Sequence, residues 1–131
     1  SSDVCSSDLT FGKVFRQYYP ASTTASDIMA YVEDDFDALF KVAVVSSTTT
    51  ISYVNRTSVG NNAVLVQNSG STVNGNSKVA VSSTTATTST WPVRIIDVVP
   101  ETAIAGYPGS YTEVIVKWNA GMHQYTNPTG V

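Results

Sequence analysis

The spacing of short apolar runs constrains the fold of this chain more than any other feature of its sequence. From Phe11 onward, turn-forming residues separate these runs about every 8 to 15 positions, which is typical of the strands of a β-sandwich or barrel. Val occurs 19 times and Ser and Thr 17 times each, whereas Leu occurs only three times. Side chains branched at Cβ suit a pleated surface and are stiff in a helix. We therefore expect an all-β fold, a small antiparallel β-barrel or sandwich with long Ser/Thr-rich loops.

In the first part of the chain, apolar residues predict one strand over residues 11–19 and another over residues 28–32. A short helix is the alternative for the second segment, because its apolar character is too even for periodicity to decide. The acidic run over residues 33–37 is a turn candidate, since Asp side chains bond their own backbone. We expect the strand beyond this turn to pair with the strand over 28–32 as a hairpin. That strand places four residues on one face: Ala38, Phe40, Val42 and Val44.

In the middle of the chain, the pattern predicts short strands over residues 51–54 and 63–67. The loop that follows contains Gly70 and Gly75, and we expect both glycines to have positive φ angles. The next strand places Val79 and Val81 inward and leads into a Ser/Thr linker over residues 82–90.

Two strands stand out in the last part of the chain. The segment over residues 91–99 is apolar on both faces apart from Arg94 and Asp97, so we expect it to lie centrally in the sheet. A later strand places Val114, Val116 and Trp118 on one face, which predicts a half-buried strand.

The first nine residues, SSDVCSSDL, resemble a translated sequencing adapter of the kind found at the ends of metagenomic reading frames. We therefore expect residues 1–9 to be a non-native leader and residues 10–131 to form a single β-rich domain. Because the sequence begins at Ser1, we expect a fragment or a processed product, which leaves open that the natural N-terminal part of the domain is missing.

Charge and cysteine content argue against several classes of function. Charged residues are 13% of the chain and the net charge is −3, so we expect no positive field that would attract nucleic acid. We expect no membrane partner, because no apolar run approaches the roughly 20 residues of a membrane helix, and no basic segment with an apolar core marks a secretory signal. The single cysteine, Cys5, cannot form an internal disulfide, so the fold is compatible with a reducing cytoplasm.

Candidate catalytic groups are few. His123 is the only histidine, and we interpret it as a surface or hydrogen-bonded side chain, because a catalytic site needs several convergent groups. A Cys/His pair would need Cys5, which falls in the leader. No serine lies in a Gly-x-Ser-x-Gly elbow, and no glycine loop is suited to phosphate. We therefore expect no catalytic, cofactor-binding or metal-binding residues.

The cluster Glu33, Asp34, Asp35 and Asp37 could supply oxygen ligands to Ca²⁺, but it lacks the alternating spacing and central glycine of an EF-hand loop. It does not supply a glycosidase acid/base pair, because two such groups must lie on opposite sides of a cleft. We interpret it as a solvated turn. The segment Asn55-Arg-Thr matches the N-glycosylation pattern, which matters only in a eukaryotic secretory setting.

Three stretches of the sequence carry a resemblance when they are taken in order. They are YYPASTTASDIMAYVEDD over residues 18–35, leading to Leu39 and Phe40; VGNNAVLV over 59–66, leading to GST over 70–72 and to Ser82 and Ser83; and PVRIIDVV over 92–99, followed by VIVK over 114–117 and HQY over 123–125. As an ordered set they resemble a family of small structural proteins of tailed bacteriophages that are encoded next to the major capsid protein. Such proteins usually have Pro where this chain has Phe36, and they extend further at the N-terminus.

The resemblance implies a non-enzymatic virion protein associated with the head, as a capsid decoration or cement protein that acts through protein–protein contacts. Its partners would be capsid or other virion proteins, its copies would form a homo-oligomer on the particle, and assembly would take place in the bacterial host cytoplasm. The resemblance offers no catalytic residues, cofactor or metal ligand.

Two other functions stay open. A glycan- or receptor-binding β-module of a phage tail or a secreted protein would need an exposed aromatic platform. We expect Trp91 and Trp118 in the core instead, since they begin and end inward strand faces and aromatic side chains bury large areas. An enzyme would need a cleft that brings His123 to an acidic residue, and we rank it last.

Overall fold

The computed structural model describes residues 3–8, 12–16, 18–19, 26–102 and 112–119, and for residues 3–14 it describes the backbone alone. In these ranges the chain forms eight β-strands and two single-turn 3-10 helices, over Arg56–Ser58 and Pro100–Thr102. The expected all-β fold is confirmed. Neither helix is long and apolar enough to span a membrane.

The chain divides into two compact units. Unit 1 comprises Ser1–Asp35 and Ser69–Lys78, and unit 2 comprises Phe36–Asn68 and Val79–Val131. The division runs through the segment that the sequence predicts as one β-rich domain, residues 10–131.

Unit 1 contains a three-stranded antiparallel sheet in the order β2-β1-β3. The strands are β1 (Asp3–Asp8), β2 (Gly12–Arg16) and β3 (Met29–Tyr31). Cys5 lies opposite Phe15 on one side and Met29 on the other. The strands expected over residues 11–19 and 28–32 are confirmed with shorter bounds. β1 is the central strand of this sheet, and it lies within the predicted leader.

Unit 2 is a closed five-stranded barrel in the order β4-β6-β5-β7-β8, in which β8 pairs again with β4. Its strands are β4 (Phe40–Val45), β5 (Asn62–Val66), β6 (Ala80–Ala86), β7 (Val93–Val98) and β8 (Glu113–Trp118). The expected small β-barrel is confirmed. Among the described strand pairs, β4 and β6 alone run parallel, with Val44 opposite Val81.

Alternating β-branched side chains fill the interior of the barrel. The buried cluster consists of Val44, Val54, Ala63, Val81, Val93, Ile95, Val98, Val114 and Val116. Phe40, Val42 and Trp118 are partly buried and pack against it, and the rings of Phe40 and Trp118 meet edge to face with centroids 5.9 Å apart. Burial of each large aliphatic side chain contributes roughly 1.5–3 kcal/mol. The inward faces predicted for β4 and β8 are confirmed.

Two buried asparagines hold the connection between β6 and β7. Nδ2 of Asn62 donates to the carbonyl oxygen of Thr88 at 2.9 Å, and Nδ2 of Asn119 donates to the carbonyl oxygens of Ser89 and Trp91 at 3.1 and 2.9 Å. Because an unpaired carbonyl is costly where water has little access, these amides stabilise one path for the connection.

The predicted hairpin between residues 28–32 and the strand that contains Phe40 is wrong. β3 pairs with β1, whereas β4 pairs with β6 and β8. The three residues of β3 are all exposed, whereas Val44 and Val45 of β4 are buried. The apolar face of β4 therefore gains more from the barrel interior than from a local hairpin.

The predicted Ser/Thr linker over residues 82–90 is wrong in its first half, because β6 continues to Ala86. Ser82 is buried opposite Val45, and Thr85 lies opposite Ala63. The backbone of β6 forms hydrogen bonds with β4 on one side and β5 on the other, so small polar side chains are tolerated in this strand. The inward position of Val81 is confirmed, but Val79 precedes the strand and is exposed.

Other local predictions hold in part. Gly75 has a φ of +70°, as expected, but Gly70 does not have a positive φ. Gly70 instead lies close to the chain, where an added Cβ would be 3.1 Å from the carbonyl oxygen of Asn76. The strand expected over residues 51–54 is reduced to a single bridge between Ile51 and Val45.

We predict that Val116→Asp destabilises the barrel far more than Lys117→Asp. Val116 is 1% exposed, and an unpaired carboxylate at that position costs several kcal/mol. Lys117→Asp removes only the exposed ion pair with Asp37, which is worth about 0–1 kcal/mol. Urea unfolding of both variants measures the difference, and equal losses of stability would contradict the strand register.

We predict that deletion of residues 1–9 leaves the unfolding midpoint of the barrel unchanged, because unit 2 has its own apolar core. Trp91 and Trp118, the two tryptophans of the chain, both belong to unit 2, so their fluorescence during thermal unfolding reports on the barrel. A midpoint lowered by many degrees would show that the barrel depends on the deleted segment.

Candidate functional site

The residues singled out as candidate catalytic or metal-binding groups do not form a cluster in the described structure. His123 lies outside the described residues, and of Cys5 only the backbone is described. Glu33 and Asp35 are exposed, and the backbone N–H of Asp35 donates to Oε1 of Glu33 at 3.3 Å. Within the described ranges, no group of three or more His, Cys, Asp or Glu residues could hold a metal ion.

Asp37 is instead part of the surface of unit 2. Its Oδ1 accepts a hydrogen bond from Nζ of Lys117 at 2.7 Å, so this carboxylate pairs with a cation of β8. A second exposed pair, between Lys41 and Glu113 at 3.2 Å, joins β4 and β8 nearby in the ladder. The first pair joins β8 to the segment before β4, and the second joins β8 to β4 itself. Their exposure limits each to about 0–1 kcal/mol.

The two tryptophans occupy different environments. Trp118 packs against the core and against the ring of Phe40, which agrees with the expected core position. Trp91 is only half-buried and lies outside the buried cluster, so the core position expected for it is wrong. The described positions of the two indoles therefore do not provide an exposed aromatic platform.

A surface groove on the barrel lies between β7 and the segment that follows Tyr53. It has a volume of about 310 Å³ and is lined by Val54, Asn55, Arg56, Val98 and Pro100. We call this the β7 groove. Val54 and Val98 are buried residues of the core cluster, so the groove has an apolar floor, whereas Asn55 and Arg56 are exposed and polar.

Backbone hydrogen bonds fix the segment that forms one wall of the β7 groove. The N–H of Gly60 donates to the carbonyl oxygen of Ile95 at 2.8 Å. The N–H of Ile95 donates to the carbonyl oxygen of Asn61 at 2.9 Å. Gly60 has a φ of +90°, a conformation that residues with a side chain rarely adopt. The 3-10 turn over Arg56–Ser58 is therefore held against β7 at a defined position.

An ion pair lies at the rim of the β7 groove. Nη2 of Arg56 is 3.5 Å from Oδ1 of Asp97, and the two side chains are 71% and 46% exposed. The same carboxylate oxygen accepts the N–H of Val98 at 2.8 Å, which holds Asp97 in place. Because an exposed pair of this kind contributes about 0–1 kcal/mol, Arg56 can exchange Asp97 for a carboxylate of a partner at little cost.

Exposed apolar side chains flank the β7 groove in the chain. Tyr53 is 65% exposed, Val59 is 38% exposed and Ile96 is 40% exposed. Ile96 points outward because side chains alternate along β7 and its neighbour Ile95 is buried. The register of β7 against β8 then shifts between Ile95 and Asp97, which returns Val98 to the interior. We call the β7 groove together with Tyr53, Val59 and Ile96 the groove face.

The groove face was not predicted from the sequence. Tyr53 falls in the segment predicted as a strand over residues 51–54, and no local signal marks its ring as exposed. The exposure of Ile96 follows from alternation along β7, but the register shift that brings Val98 back to the interior gives no sign in residues 91–99. The 3-10 turn is likewise set by contacts with β7 rather than by a local motif.

Comparison of the chain with protein-family models, with curated proteins and with solved structures finds no match.

Proposed function

We propose that this chain is a non-enzymatic structural protein of a tailed-bacteriophage particle, attached to the head as a decoration or cement protein through the groove face. The ordered sequence resemblance supports the class of protein. The observation that carries the proposal is the groove face itself, where exposed Tyr53 and Ile96 accompany an exchangeable Arg56–Asp97 pair.

The composition of the groove face suits a contact with another protein. Aromatic and Arg side chains are enriched in protein interfaces, and Tyr and Arg are frequent among the residues that dominate binding energy. The apolar floor formed by Val54 and Val98 can accept a small apolar side chain of the partner, while Arg56 can bind a neighbouring carboxylate.

The closed barrel supports repeated attachment to a lattice. Each of the five described barrel strands pairs with a neighbour on both sides. The barrel therefore needs no strand from a partner to complete its backbone hydrogen bonds. A single groove face is a small contact. Many copies on a symmetric shell gain effective affinity from multivalency when copies also contact each other, so each contact can be weak.

The alternative is a glycan- or receptor-binding β-module, and one observation favours it. Tyr53 has an exposed aromatic ring and is close in the chain to exposed, polar Asn55 and Arg56, and an exposed aromatic ring can also stack on a sugar. The packing of Trp118 into the barrel counts against a broader aromatic platform.

We predict that the purified protein co-sediments with empty heads of the phage whose major capsid gene neighbours its own. The double variant Tyr53→Ser/Ile96→Ser should bind at least about tenfold more weakly, because the two apolar contacts that it removes from the groove face are together worth more than about 1.4 kcal/mol. The matched control is Leu39→Ser, since Leu39 is 58% exposed and does not line the groove.

The outcomes separate the proposal from its alternative. Wild-type protein that does not bind heads, but does bind glycans in an array, would contradict the structural function and favour the receptor-binding module. Wild-type binding with equal losses in the double variant and in the control would keep the head-associated function and exclude the groove face as its contact.

A further inference from the structure

Asn74 and Gly75 form the single Asn-Gly pair of the sequence, and they lie in a closed loop of unit 1. The N–H of Ser71 donates to the carbonyl oxygen of Asn76 at 2.9 Å. The N–H of Gly75 donates to the carbonyl oxygen of Ser71 at 3.0 Å. Asn74 is exposed within this loop. Because Gly75 has no Cβ, its backbone nitrogen is the least hindered neighbour that an Asn side chain can have.

The carboxamide of Asn74 is folded back over the backbone that follows it. Its Oδ1 accepts a hydrogen bond from the N–H of Asn76 at 3.1 Å, which is the geometry of an Asx turn. A donor at this oxygen polarises the Cγ–Oδ1 bond and stabilises the negative charge that develops on Oδ1 when a nucleophile adds to Cγ.

In four other asparagines, the side-chain nitrogen donates a hydrogen bond. Nδ2 donates to a carbonyl oxygen in Asn62, Asn68 and Asn119, at distances between 2.8 and 3.1 Å. Nδ2 of Asn61 lies 3.5 Å from the hydroxyl of Thr85. These bonds hold the nitrogen that must leave in a deamidation. Oδ1 of Asn62 also accepts a hydrogen bond, from Nε of Arg94 at 3.0 Å, but Asn62 is buried and its nitrogen is held. In Asn74 the hydrogen bond is made by the oxygen, and the side chain is exposed to solvent.

We propose that Asn74 and Gly75 form a site of spontaneous deamidation and isoaspartate formation, and that Asn74 reacts faster than the other asparagines of the described chain. Hydroxide removes the proton from the backbone nitrogen of Gly75, which then attacks Cγ of Asn74. The new N–Cγ bond closes a five-membered succinimide, the Cγ–Nδ2 bond breaks, and Nδ2 leaves as ammonia with a proton from water. Water then adds to either ring carbonyl, which gives aspartate or isoaspartate.

The loop must open before the reaction can occur, and the isoaspartate product cannot return to the original loop conformation. The N–H of Gly75 must leave the carbonyl oxygen of Ser71 before the attack, so the rate depends on opening of this turn. The isoaspartate product lengthens the main chain by one carbon. Gly75 has a φ of +70°, and a Cβ there would lie 2.5 Å from Cδ1 of Tyr18, so Gly75 packs closely against this ring. A longer main chain between residues 74 and 75 would disturb that contact.

The consequence for the protein is a change of charge and of local structure. Each reaction adds one negative charge to a chain whose net charge is already −3. The isoaspartate form loses the Gly75–Ser71 hydrogen bond and the close packing of Gly75 against Tyr18. The segment Ser69–Lys78 is thereby loosened, and we expect trypsin to cut the folded protein after Lys78 faster than before the reaction.

The test is incubation of the intact protein in mildly alkaline buffer, followed by tryptic digestion and tandem mass spectrometry, with an unincubated sample as the baseline. Cleavage after Arg56 and Lys78 releases one peptide that contains Asn61, Asn62, Asn68, Asn74 and Asn76, so four asparagines serve as internal controls. The amide-to-acid mass gain should accumulate at Asn74 several times faster than at any of the other four, and Asn74→Gln should abolish that fast component. A first gain at Asn68 or Asn76, or equal rates at all five, would overturn the proposal.

The matched variant Ser77→Gly creates a second Asn-Gly pair at Asn76 in the same peptide. Within the described part of the chain, the side-chain oxygen of Asn76 accepts no backbone hydrogen bond, so Asn76 should react several times more slowly than Asn74 if the Asx turn promotes the attack. Equal rates at the two sites would overturn the role of the N–H of Asn76.

Discussion

The barrel depends on the pairing of β4 with a different strand on each side. β8 binds one edge of β4 in antiparallel register, and β6 binds the other edge in parallel. This arrangement joins the two ends of a sheet that would otherwise expose its edges, and it places Val44 next to Val81 in the interior. Closure and core formation are therefore the same event, because the side chains that become buried lie on the strands that close the ring.

Two register shifts shape the surface of the barrel, one between Ile95 and Asp97 on β7 and one between Ala63 and Leu65 on β5. On β7, alternation turns Ile96 outward, and the shift then returns Val98 to the interior. Asp97 lies between them and forms the ion pair with Arg56. The groove face thus follows from the geometry of the barrel, and the residues that shape it are held by core residues such as Val54 and Val98.

Sequence reasoning succeeds where burial and alternation agree. The faces of β4 and β8 were predictable because Phe40, Val42 and Val44, and then Val114, Val116 and Trp118, occupy alternate positions in strands that also contain the charged residues Lys41, Glu113 and Lys117. Prediction from sequence fails where a strand pairs with a strand that is distant in the chain. β6 continues into Ser and Thr because β4 and β5 satisfy its backbone, and β3 does not pair with its neighbour in sequence. The groove face was missed for the same reason, since a bulge and a 3-10 turn against β7 are set by register rather than by composition.

Nuclear Overhauser effects between backbone protons of the isotope-labelled protein test the closed barrel most directly. The structure predicts contacts from β4 to both neighbours, with Val44 close to Val81 and Phe40 close to Val116, and slow amide exchange along β4. Contacts from β4 to β8 alone, with rapid exchange of the β4 amides that face β6, would contradict the account, because the sheet would then be open at the strand on which the interior and the groove face depend.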